Sequence, residues 1–144
     1  MIFVLVAINT PVFLFLSFLH IYWGFGGTWG LKNTLPVRVS GELALKPSKF
    51  GTVIVGMGLS LFAFITLANI GFADQLIDRR HIHTATYIIA GIFSLRAIGD
   101  FKYVGFMKSI KGTEFAKEDT RTYVPLCLVL SLFSLSIPLL TCES

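Results

Sequence analysis

Long stretches without a single charge alternate along this chain with short charged ones. No Asp, Glu, Lys or Arg occurs from Ile2 to Trp23, from Gly51 to Phe72, or from Tyr123 to Thr141. About twenty apolar residues wound as a helix cross a hydrocarbon layer roughly 30 Å thick. In lipid only helices and closed barrels keep their amides paired, and runs of this length are helical. The first run reads as a span rather than a cleaved leader, because no basic stretch precedes it and no small-x-small site follows. Pro11 lies deep within it and is expected to kink the helix and free the carbonyl of Ala7. The last run opens with Pro125 in its first turn, where a missing N–H costs little, and Thr122 is a candidate N-cap.

The third run is less regular. Residues 84–98 are apolar apart from Arg96, which is short for a span. One ending stops the helix near Gly99, with Arg96 in the last turn. The other carries it to Lys111 and stops at Gly112, with Lys108 and Lys111 as last-turn cations. The signals at Lys108 to Gly112 are the better ones and favour the longer helix. Arg96 and Asp100 are then stacked four residues apart on one face, with Tyr103 a turn further on. An arginine at mid-bilayer costs roughly 2.5–3.5 kcal/mol on insertion scales, so it has to be paired or turned inward. Asp100 is the nearest partner. The pattern thus predicts an all-α fold, a transmembrane four-helix bundle of one domain, 1–144, with spans near 2–23, 51–72, 84–106 and 123–141.

Composition agrees with a chain dissolved in lipid. Of 144 residues, 54% are hydrophobic and 14% charged, and the mean hydropathy is +0.76. The net charge of +4 does not point to nucleic acid, because the basic residues sit between apolar runs and no basic helix or RNA-binding motif accompanies them. Nine basic residues fall in the first and third connections and two in the second. The positive-inside rule then places the loops 24–50 and 107–122 in the cytoplasm and both termini outside the cell membrane. Close helix approach is expected at Gly56, Gly58, Ser60, Ala63 and Ala68, and at Ser131, Ser134 and Ser136.

Candidate chemistry is sparse. Arg96 and Asp100 read as an intramembrane pair that orders a polar pocket or meets an anionic headgroup, or as a lock on the bundle. Asn9 reads as a hydrogen bond between helices. The segment LHIYWGFGGTWG gathers His20, Tyr22, Trp23 and Trp29 at the end of the first span. It reads as an anchoring belt, or as an aromatic-lined mouth with His20 as its proton-exchanging group. Its glycines lack the strand and spacing of a dinucleotide loop. His81 and His83 have no third ligand at a recognised spacing, so no metal and no cofactor is expected. Cys127 and Cys142, fifteen residues apart on one helix, are too distant for a disulfide within it. No serine stands in a nucleophile motif. Glu114, Lys117, Glu118, Asp119 and Arg121 form a mixed-charge connector, from which Asp119 and Arg121 are placed to pair with the underside of the bundle.

LHIYWGFGGTWG followed by Leu35-Pro36, together with SLRAIGDFKYVGFMKSIKGTEFAKEDTRTYVPLCL, resembles a bacterial domain-of-unknown-function family of small four-span integral membrane proteins. The resemblance covers nearly the whole chain and draws attention to His20, Tyr22, Trp23, Gly27, Trp29, Pro36, Arg96, Gly99, Asp100, Phe101, Asp119, Thr120, Pro125 and Cys127. Val124 departs from the small polar residue expected before the proline. What the resemblance implies is a multi-pass membrane protein, with no catalytic role to carry over. The expected partners are the lipid bilayer, a lipid or small apolar molecule, and a second copy or membrane partner, without nucleic acid. The expected function is a ligand-binding or accessory module; the alternatives are a small oligomeric transporter or channel subunit and, last, an intramembrane enzyme.

Overall fold

A computed structural model describes the chain except for Lys32, Asn33, Val37, Val39, Leu45, Asp100, Phe101, Glu143, Ser144 and the side chain of Cys142. The fold is all-helical. Its elements are α1 (Ile2–Gly24), α2 (Lys49–Ala68), α3 (Arg79–Ile98), the short α4 (Glu114–Glu118), one wide turn (Asp119–Tyr123) and α5 (Val124–Cys142). Three helical runs are long and apolar enough to cross a membrane: Ile2–Gly24, Lys49–Ala68 and Glu114–Thr141. The 20-residue α3 carries Arg79, Arg80 and His81 in its first turn and Arg96 in its last.

Three of the helical runs start where a side chain takes up a free amide. Ser48 accepts from the Gly51 N–H at 3.0 Å and Asp78 from the Arg80 N–H at 2.8 Å. Thr113, rather than Thr122, caps the final run by accepting from the Ala116 N–H at 3.1 Å. Thr122 lies inside that run, its hydroxyl 3.4 Å from Glu118 Oε2. Pro125 explains the wide turn. It offers no N–H to the Arg121 carbonyl, and its ring would strike that carbonyl in a regular helix. The chain widens instead, and the Val124 N–H reaches back to the carbonyl of Asp119. Pro11 is accommodated within α1, which runs unbroken from Ile2 to Gly24.

Apolar side chains gain little by leaving lipid for a protein interior, so close packing and hydrogen bonds hold such helices together. Two tight pairs form, α1 with α2 and α3 with α5. In the first, a Cβ on Gly56 would lie 3.1 Å from the Ser17 carbonyl and 2.7 Å from the Ile21 side chain. There the Ser17 hydroxyl donates to the Gly56 carbonyl at 2.7 Å and lies 2.6 Å from Ser60 Oγ. In the second pair, Ser131 donates to the Ala90 carbonyl at 2.9 Å and meets Ser94 at 2.6 Å. Gly58, by contrast, faces open space, and Ser136 bonds back to its own helix at Leu132. The pairs join through the rings of Phe13, Phe62 and Phe93, the Asn9–Ser134 contact of 3.1 Å and the Asn69–Thr86 contact of 2.9 Å. Up-and-down connectivity brings the first and third connections to one end of the bundle.

Candidate functional site

The third helix departs from the longer reading. It stops at Ile98, and Gly99 turns the chain with a φ of +91°. A glycine is needed there for two reasons. Positive φ suits no side chain well, and a Cβ would collide with the Val104 carbonyl oxygen. Gly105, also at φ +91°, packs directly on Gly99, so the loop crosses itself glycine on glycine. The crossing places the amides of Phe106 and Met107 over the last carbonyls of α3. They donate to Ala97 O at 2.8 Å and Ile98 O at 3.3 Å, satisfying acceptors that a helix end leaves free.

The crossing also delivers Lys108 to the interior. Its ammonium donates to Asp119 Oδ2 at 3.0 Å, to Thr120 Oγ1 at 2.6 Å and to the Gly105 carbonyl at 3.2 Å. Three donors meet three acceptors, which uses the whole capacity of the group. Asp119, wholly buried, also accepts from the Gly105 N–H at 2.7 Å and from Arg96 Nη2 at 3.1 Å. The wide turn begins at Asp119, so the backbone feature created by Pro125 carries the carboxylate at the centre of the site. Two cations share one anion, and this trio holds one surplus positive charge.

Of the three, Arg96 is the one that is partly exposed. Its side chain is 35% exposed while Lys108 and Asp119 are shut in. Its Nη1 is buried and has no hydrogen-bond partner among the described residues. A guanidinium carries five N–H donors, and Asp119 takes only one of them.

The sequence-derived site residues separate into groups. Arg96 pairs with Asp119; Asp100, the partner expected from spacing, lies outside the described residues. Because the helix ends at Ile98, Tyr103 lies in the crossing loop and not a turn further along the Arg96 face; the Lys102 ammonium sits 5.3 Å from its ring centre. His20, Tyr22, Trp23 and Trp29 gather at the end of α1, and their interactions stay local. His20 Nδ1 lies 2.7 Å from the Leu16 carbonyl, and the Trp23 indole donates to Trp29 O at 2.8 Å. Tyr22 stacks on Phe18. A shallow pocket of about 250 Å³ opens beside them, between Trp23, Leu31, Leu43 and Lys46. Asn9 sits wholly buried against Ser134. Arg121 is exposed on the wide turn. His81 and His83 fall within α3, and at the far end of the bundle Arg79 pairs with Asp74 at 2.7 Å. Among the described residues no three of His, Cys, Asp and Glu converge as metal ligands would.

Sequence reasoning missed Lys108, read as a last-turn cation, and singled out Thr120 only through the family resemblance. The available signal was the pair Gly99 and Gly105, whose six-residue spacing allows a crossing but does not announce one.

The family model described as "Protein of unknown function (DUF3995)" matches residues 13–134. No curated protein and no solved structure matches the chain.

Proposed function

Since the chain belongs to the DUF3995 family, whose description assigns no activity, we propose a role from the geometry: a multi-pass membrane protein that binds the anionic headgroup of a lipid at Arg96. The observation carrying this reading is the charge imbalance at Asp119. Lys108 has spent its donors and Asp119 is surrounded, while Arg96, 35% exposed, keeps N–H groups beyond the one that Asp119 takes. A phosphate or carboxylate accepts two such donors side by side, which suits a guanidinium better than an ammonium. The position also fits. Arg96 lies in the last turn of α3 and meets Asp119 near the start of the Glu114–Thr141 run, a place that suits the level where headgroups meet hydrocarbon.

We place the connections 24–50 and 107–122 on the cytoplasmic side, where anionic lipids attract basic segments. The bundle interior is filled by Phe13, Phe93, Leu130 and their neighbours, which favours binding over conduction.

Native mass spectrometry of the protein released from mild detergent tests this. The wild-type chain is expected to retain phosphate-bearing lipid, Arg96→Ala to retain at least about tenfold less, and Arg96→Lys to fall between, as loss of a bidentate contact of roughly 1.5–3 kcal/mol requires. Asp119 keeps Lys108 in each variant, so the fold is expected to survive. Equal lipid retention by wild type and Arg96→Ala overturns the reading.

A further inference from the structure

The opposite end of the bundle carries a second feature that the Arg96 site does not use. A groove of about 420 Å³ runs between the first part of α1 and the end of α2, from Phe3 and Ile70 down to Thr10 and Pro11. Its walls are apolar except in one place. Thr10 Oγ1 is buried and has no hydrogen-bond partner among the described residues. One turn earlier, Ala7 also lines the groove, and its carbonyl faces the one position in α1 without an N–H, Pro11. An unused hydroxyl and a carbonyl deprived of its helical donor therefore belong to two residues that line the same groove. In hydrocarbon such groups are costly to leave unmet.

Depth decides what can meet them. Thr10 stands eight residues past Ile2, roughly 12 Å along the helix axis. That level lies below the headgroups, out of reach of phosphate and bulk water. The partner is therefore uncharged. It also has to accept a hydrogen bond from one group and donate to another, which a single hydroxyl does. A transmembrane helix of a second copy fits less well. Such a rod is about 10 Å across and needs a longer furrow than the short length of α1 lining this one.

We propose that this groove binds an uncharged long-chain alcohol of the membrane, its hydroxyl between Thr10 Oγ1 and the Ala7 carbonyl and its chain along Phe3, Leu67 and Ile70. The site is independent of Arg96.

The test uses the full chain in phosphatidylcholine nanodiscs with two photoreactive probes, a diazirine-bearing hexadecanol and its methyl ether. The alcohol is expected to label peptides containing residues 3–11 or 67–70, and the ether at least about threefold less, the effect of one net hydrogen bond. Thr10→Val, close to isosteric, is expected to reduce alcohol labelling to the level of the ether. Thr10→Ser is expected to keep it, and Arg96→Ala to leave it unchanged. Equal labelling by alcohol and ether, or undiminished labelling of Thr10→Val, overturns the proposal. So does a chain-to-chain crosslink through Phe3→Cys that excludes the alcohol, which would assign the groove to a second copy.

Discussion

The ammonium of Lys108 lies 3.0 Å from a carboxylate oxygen of Asp119, and both side chains are closed off from solvent. Charges in such a place depend on each other. Removing one leaves the other uncompensated, at a cost of about 3–5 kcal/mol, whereas replacing both by neutral groups often costs far less. Asp119→Asn is therefore expected to destabilise the protein by that amount in reversible unfolding from mixed micelles. The double variant Asp119→Asn, Lys108→Met is expected to recover much of the loss. A double variant no more stable than Asp119→Asn alone would show that the pair does not govern this end of the bundle.

Glycines divide sharply by position. Gly99→Ala and Gly105→Ala each place a side chain at φ +91° and against backbone across the loop. Each is expected to cost at least about 2–3 kcal/mol, the scale of a strained residue before any clash is added. Gly58 and Gly91 lie within helices, and a methyl group at either would meet nothing within 4 Å. Alanine at those two positions is expected to be neutral or to stabilise by up to about 1 kcal/mol. Thermal unfolding of the four variants in one detergent separates the two classes.

The helical runs are legible in the sequence because a span is a local property: length without charge is enough to announce it. The site is legible only in part, and Arg96 shows why. Sequence proximity offers Asp100, four residues along an assumed helix. Asp100 lies outside the described residues, and among those described the partner is Asp119, twenty-three positions away, brought close by a loop crossing that no periodicity records. Asp119 stands out in the sequence as a residue able to pair beneath the bundle, but its neighbour Lys108 reads as a helix-ending cation. The error has one source. Lys108 to Gly112 carry good stop signals, yet they follow a helix that Gly99 has already ended. Pro125 likewise reads as a first-turn proline, although the helical run begins eleven residues earlier and widens to admit it.

The Asn9–Ser134 bond spans α1 and α5 in the buried interior. Side-chain bonds between helices in lipid average about 0.6 kcal/mol. Ser134→Ala is accordingly expected to lower stability by no more than about 1 kcal/mol in the same unfolding measurement. A loss above about 2 kcal/mol would mean that this contact organises the bundle.

Up-and-down packing makes a prediction about sidedness. In sealed vesicles, in a background of Cys127→Ser and Cys142→Ser, Lys46→Cys and Lys111→Cys are expected to react with an impermeant maleimide from one side. Gln75→Cys, in the connection between α2 and α3, is expected to react only from the other. Labelling of positions 46 and 111 from opposite faces would break the assigned connectivity.

The wide turn at Asp119–Tyr123 amounts to one surplus residue spliced into an otherwise regular spiral. A regular helix advances roughly 100° per residue, so the halves before and after the splice are out of phase by that angle. Excising Arg121 while replacing Pro125 with alanine would let the spiral close up and swing the Asp119 carboxylate about a quarter-turn relative to α5. Shortening the chain by one exposed residue would thus strand two cations at once.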